Sequence, residues 1–171
     1  GVPVWTVPLP GETLTEAGEA VEIRSSDNRI YAYFHTRSTV YAVRDNDTSG
    51  MVVWASAVPA GHEAVGLIGL QGDRLYVLMH PLTGINDRLR CLSKLDGSVI
   101  FDVPAPWIPT SSGRKVAIDP GLGYVYVSGI LPSGYASLRC LDATGNTVFD
   151  VPTLSTDVSA RPVVDTRAHR L

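Results

Sequence analysis

The sequence predicts an all-β protein, and three observations predict it. The chain has 171 residues, 44% hydrophobic and 18% charged, which suits a packed single core and is too apolar for disorder. It carries 16 Gly and 12 Pro beside abundant Val, a mixture that favours short pleated strands joined by tight turns. Its β-branched and aromatic residues also fall in short runs that recur at a nearly constant interval.

Taken in order, the first run is Val4-Trp5-Thr6-Val7-Pro8, which reads as an isolated strand at about 2–8. The same aromatic-to-proline form returns as Val53-Trp54 leading to Val58-Pro59, then Ile100-Phe101-Asp102-Val103-Pro104 and Val148-Phe149-Asp150-Val151-Pro152. Successive aromatics are 49, 47 and 48 residues apart. Upstream of each of the last three lies a second run: Val40-Tyr41-Ala42-Val43-Arg44-Asp45, Leu89-Arg90-Cys91-Leu92-Ser93, and Leu138-Arg139-Cys140-Leu141-Asp142. A third run is Arg29-Ile30-Tyr31-Ala32-Tyr33, Arg74-Leu75-Tyr76-Val77-Leu78 and Tyr124-Val125-Tyr126-Val127. Turn residues precede each of these: Asp27-Asn28, Gly72-Asp73 and Asp119-Pro120-Gly121. The fourth run, ahead of those turns, is Val21-Glu22-Ile23, Val65-Gly66-Leu67-Ile68, Val116-Ala117-Ile118 and Val163-Val164.

Four strands per repeat of about 48 residues is the sequence form of a β-propeller blade, a sheet that must stack on its neighbours to bury both faces. A sandwich gives turns at similar spacing but no reason for the aromatics to recur. The expected organisation is one propeller segment of about three and a half blades over 1–171. It comprises an outer strand at about 2–8, blades at about 20–59, 64–104 and 115–152, and the start of another at about 161–171. A closed ring of such blades commonly needs about six to eight. Further blades, or a second copy in a homo-oligomer, are therefore expected to close it.

Leu141-Asp142-Ala143-Thr144-Gly145-Asn146-Thr147-Val148-Phe149 resembles the repeat of pyrroloquinoline-quinone-type propellers. Arg44–Gly50 with Val53-Trp54, and Ser93–Gly97 with Ile100-Phe101, are degenerate versions, so the resemblance extends over nearly the whole chain as repeats. It implies that Trp54, Phe101 and Phe149 pack between blades, and that Gly50, Gly97 and Gly145 supply positive φ in the hairpins before them. The family contains quinone-dependent dehydrogenases and cofactor-free scaffolds. The dehydrogenases carry a vicinal Cys-Cys pair, whereas Cys91 and Cys140 here are 49 residues apart at equivalent small-residue positions. Both are expected to be buried and unbridged, since equivalent positions in successive blades do not meet disulfide geometry.

Fourteen Lys and Arg against 17 Asp and Glu give a net charge of −3 with no basic stripe, which argues against nucleic acid as a partner. No apolar run approaches the roughly 20 residues of a membrane helix. No signal peptide is visible at Gly1–Trp5, and the compartment stays open, an extracytoplasmic or secreted one included.

Several short constellations point to chemistry and compete with plainer readings. Asp45-Asn46-Asp47-Thr48-Ser49-Gly50 begins like a calcium loop, but Ser56 stands where the closing Glu belongs. A solvated hairpin capped by Asp is the expectation, with calcium as the alternative. Asn46-Asp47-Thr48 is also a glycosylation sequon. His62-Glu63 opens like a zincin motif, yet Gly66 occupies the second ligand position and the segment reads as strand. His35 and His80, just past corresponding strands, are expected on an exposed rim; His169 has no local partner that would make a nucleophile. Trp107 lies in a crossover, either as a plug between blades or as a surface aromatic. No catalytic, cofactor-binding or metal residue is assigned. The expected function is a non-enzymatic scaffold or recognition module for protein partners. The alternatives are part of a quinone-dependent dehydrogenase, recognisable by a Cys-Cys pair and a calcium cluster in flanking sequence, and a carbohydrate-binding propeller with recurrent exposed aromatics.

Overall fold

A computed structural model of the chain describes residues 7, 9, 20–24, 27–84, 87–105, 116–131, 133–152 and 164–165. The isolated first strand at about 2–8, Trp107, His169 and the next-blade strand at about 161–171 fall largely or wholly outside them. Alternating apolar and β-branched residues between turn formers produce strands throughout, and no helix forms among the described residues. None is therefore long and apolar enough to cross a membrane.

Among the described residues twelve strands form three four-stranded antiparallel sheets, each a simple meander in chain order. The first sheet contains β1 (Ala20–Arg24), β2 (Arg29–His35), β3 (Thr39–Asp45) and β4 (Gly50–Ala57). The second contains β5 (His62–Gln71), β6 (Arg74–Pro81), β7 (Arg88–Ser93) and β8 (Val99–Pro104). The third contains β9 (Val116–Asp119), β10 (Tyr124–Ile130), β11 (Ala136–Leu141) and β12 (Thr147–Pro152). The three sheets do not close into a ring.

Turn chemistry explains the first hairpin of each sheet. Left-handed residues shape these hairpins: Asn28 (φ 54) and Gly72 (φ 50) within the expected turns, and Gly123 (φ 74) just past the expected Asp119-Pro120-Gly121. In the third sheet Asp119 ends the strand instead of opening the turn. Its buried carboxylate accepts the backbone N–H of Gly121 at 2.8 Å.

The second sheet is buried on both faces, which is why β6 reads as an almost unbroken apolar run. Leu75, Val77, Met79 and Leu92 pack with Tyr31, Tyr33, Val40, Ala42 and Trp54 of the first sheet. On the opposite face, Tyr76, Leu78, Leu89, Cys91 and Phe101 pack with Val125, Val127 and Leu141 of the third. The outermost strands are the most exposed, with Val99, Ile100, Val148 and Val151 all more than 40% accessible.

One irregularity recurs in every sheet. Ala42 pairs with Trp54, Cys91 with Phe101 and Cys140 with Phe149, and immediately beyond each pair the register slips. The extra residue on the outer strand is Val53, Ile100 or Val148. Such a bulge bends its strand and re-aims the next side chain. A repeated small-residue-to-aromatic spacing thus becomes a repeated turn of the aromatic toward its neighbour.

Candidate functional site

Two arrangements gather the chemistry-bearing residues: a contact repeated between sheets, and a cleft at one end of the second sheet.

The repeated contact begins with the bulged aromatics. Trp54 lies over Gly97 in the β7–β8 hairpin, where an added Cβ would come within 2.6 Å of the indole. Its Nε1–H donates to the carbonyl of Lys94 at 3.0 Å. Phe101 lies over Gly145 in the β11–β12 hairpin, where an added Cβ would meet the ring at 2.7 Å. Both glycines have positive φ, 72° and 88°, so the position demands glycine for backbone shape and for space. Trp54 and Phe101 thus take the inter-sheet positions expected of them.

Phe149 is half-buried and packs against Tyr126 of its own sheet at 6.3 Å, as Phe101 packs against Tyr76 at 6.2 Å and Trp54 against Tyr33 at 6.0 Å. Gly50 does not do what Gly97 and Gly145 do. It belongs to β4, paired with Asp45, and Asp47 (φ 70) takes the left-handed conformation. The physical reason is a tighter hairpin, in which Asp45 Oδ1 accepts the Asp47 N–H at 2.8 Å.

A second strand of contact runs the opposite way. Arg90 holds Asp102 through Nη2 at 2.6 Å and Nε at 3.0 Å, and its Nη1 reaches the Ala57 carbonyl of the first sheet at 2.8 Å. In the third sheet Arg139 holds Asp150 through Nε at 2.9 Å, and its Nη1 reaches the Pro104 carbonyl at 3.1 Å. The cross-strand partners Arg90 with Asp102 and Arg139 with Asp150 are register equivalents, and Tyr41 with Ala55 holds that place in the first sheet. Sequence reading passed over this pair, although Arg one residue before each Cys and Asp one residue after each Phe stand in plain view in the repeat.

The cleft has a volume of about 480 Å³. An antiparallel meander brings the start of its first and third strands and the end of its second and fourth to the same side. Here those ends are His62, Arg88, Pro81 and Pro104, and Thr83, Gly84 and Asp87 of the β6–β7 connection complete the wall. Asp87 is 1% exposed and lies 2.7 Å from His80 Nδ1. Arg88 adds a second guanidinium to Asp102, with Nε on Oδ1 at 2.6 Å and Nη2 on the backbone carbonyl at 3.1 Å.

His35 is not on an exposed rim: it ends β2 at 2% exposure, with Nδ1 3.0 Å from the Thr36 carbonyl. His80 is likewise no open loop residue, since it lies within β6 and is clamped by Asp87. The two are not equivalent either, because Tyr33 and Tyr76 share a register position, which matches His35 with Leu78. Cys91 and Cys140 are buried and unbridged, as expected. Burial pushes the Cys91 thiol up to about 11 and raises Cys140 as well.

In the Asp45–Gly50 hairpin the oxygens that a calcium ion would need have protein partners. Asp45 caps Asp47, Asp47 pairs with Arg29 at 2.5 Å, and the Asn46 side-chain oxygen accepts Arg44 Nε at 3.0 Å. His62-Glu63 opens a strand, and Glu63 pairs with Arg37 at 3.3 Å. Among the described residues no cluster of three or more His, Cys, Asp or Glu is arranged to hold a metal. No family model matches the chain, and no curated protein matches its sequence.

Proposed function

We propose that this chain is a segment of a β-propeller of the pyrroloquinoline-quinone-like type, serving as a non-enzymatic scaffold that binds protein partners. The observation that carries the reading is the two-way contact between successive sheets. An aromatic docks forward onto a hairpin glycine, and an arginine reaches back to the preceding outer strand, twice in the same register. A unit that repeats both its sheet and its joint stacks by one constant rotation, the way a ring of blades is built when that rotation closes. The recurrent residues are thereby used in architecture, and the outer strands present Val99, Ile100, Val148 and Val151 to solvent. Exposed apolar side chains on successive outer strands favour contact with protein surfaces.

The test places a photo-crosslinking residue at Val99 and at Val151 in cells that make the protein, with Arg29 as the control position. Discrete protein adducts at the two valines and none at Arg29 are expected. Adducts to nothing, or quinone binding with dye reduction by the purified protein, would overturn the scaffold reading. Native mass by light scattering tests self-association: twice 18.3 kDa means that two copies pair.

A further inference from the structure

The joint between sheets has two halves. The earlier sheet gives a bulged aromatic and the carbonyl that ends its outer strand, and the later sheet gives a hairpin glycine and an arginine. Trp54 and the Ala57 carbonyl meet Gly97 and Arg90, and Phe101 and the Pro104 carbonyl meet Gly145 and Arg139. The third sheet presents the first half again. Phe149 follows the same bulge in the same register, and Pro152 stands opposite Ser137 as Ala57 stands opposite Thr39 and Pro104 opposite Arg88. Among the described residues no glycine lies under Phe149 and no arginine reaches the Pro152 carbonyl. Phe149 is accordingly only half-buried, whereas Trp54 and Phe101 are each 7% exposed.

The first sheet lacks the second half. In the place of Arg90 and Arg139 it has Tyr41, stacked on Phe34 at 5.4 Å, and in the place of Asp102 and Asp150 it has Ala55. Neither can supply or hold a guanidinium that spans to a neighbouring carbonyl. The left-handed residue of its hairpin is Asp47, which bears a side chain, exposed and paired with Arg29, where Gly97 and Gly145 leave the Cα bare. A head-to-tail contact needs both halves. A second copy of this chain would offer the third sheet this first sheet, and so fails as the occupant.

We propose that the face of the third sheet bearing Phe149 seats a further sheet of the same repeat in the same polypeptide, one with a hairpin glycine for Phe149 and an arginine for the Pro152 carbonyl. The inference deepens the propeller reading and rests on it. It continues an interface formed twice within the chain, and the run Val163-Val164 follows the third outer strand as Val116-Ala117 follows the second.

The test extends the full chain past Leu171 in two ways. Arg170-Leu171 stand in the repeat where Arg74-Leu75 and Arg29-Ile30 stand, so one extension duplicates residues 76–104 and the other residues 31–57. The first carries copies of Gly97 and Arg90; the second carries Asp47 and Tyr41 instead. With the second-sheet copy, the Tyr126 and Cys140 amides are expected to exchange at least roughly tenfold more slowly than in the parent chain. Phe149→Ala is then expected to lower the urea midpoint as much as Phe101→Ala does. With the first-sheet copy neither change is expected. Equal protection by both copies, no protection by the second-sheet copy, or a dimer of the parent chain that Phe149→Ala dissociates would each overturn the proposal. Crosslinking at Val99 is read in the parent chain, so protein adducts there beside an inert second-sheet copy would remove this inference and leave the scaffold reading standing.

Discussion

Gly97 and Gly145 show what one missing Cβ does. Each combines positive φ with a ring packed on its Cα, so Gly→Ala there strains the backbone and drives a methyl into an aromatic. We expect a loss of about 2–4 kcal/mol for Gly97→Ala by urea denaturation, conformational strain plus overpacking. Gly72→Ala shares the positive φ but has nothing within 4 Å, and is expected to lose only about 1 kcal/mol. The two cysteines make a second residue-scale case. Both are fully buried, and Cys91 is held as the neutral thiol up to about pH 11, so iodoacetamide at pH 8 should label neither in the native protein and both in guanidinium. The folded thiol titrates above its ordinary 9.0, so its stabilising contribution is full below that value and is lost as the pH rises through about 11. Asp142 runs the other way. Hydrogen bonds from Thr144 and Asn146 hold its carboxyl down at about 2, so its cap on the β11–β12 hairpin persists above the ordinary 3.8 and is lost as pH falls through about 2. The Thr144 amide shift followed through an acid titration reads this directly.

Between elements, the recurring bulge converts a strand pair into a joint. Trp54→Ala and Phe101→Ala each remove a ring from a filled contact with the next hairpin and are expected to cost about 3–5 kcal/mol. Phe149 is the same residue in the same register but only half-buried, so Phe149→Ala should lose distinctly less in the same denaturation series. Equal losses at all three would mean that the joint between sheets contributes nothing beyond packing within a sheet. The strands themselves were legible because period-two patterning and turn residues are local properties: β2, β6 and β10 cover their expected runs, and each sheet follows its expected repeat. The bulges were not legible. An extra residue between Ala42 and Trp54 changes nothing in composition, and it acts only through which partner each strand faces.

At the scale of the molecule, the second sheet lies between two others and the outer strands lie at the edge. Amides of β6 and β7 are therefore expected to exchange slowest with deuterated solvent, and those of β4, β8 and β12 fastest among strand amides. Faster exchange in β6 than in β4 would contradict the stacked arrangement. The cleft also belongs to this scale. Its residues come from positions 62 to 104, and no local spacing links them, because the meander alone carries four strand ends to one side.

Strand content, the length of the repeat and the burial of Cys91 and Cys140 were readable from residue order, and the resemblance implied the inter-sheet packing of Trp54 and Phe101 and the positive φ of Gly97 and Gly145. Each depends on neighbours along the chain or on a pattern that recurs along it. Contacts between residues far apart were not readable. The left-handed Asp47 in place of Gly50, the enclosure of His35, the His80–Asp87 clamp, the backward reach of Arg90 and Arg139, and the cleft at the end of the second sheet all depend on which strand ends and which sheet faces meet. Local patterning sets which face of a strand turns inward. The partner that covers that face is chosen by stacking energy summed over whole sheets, a quantity no short segment carries.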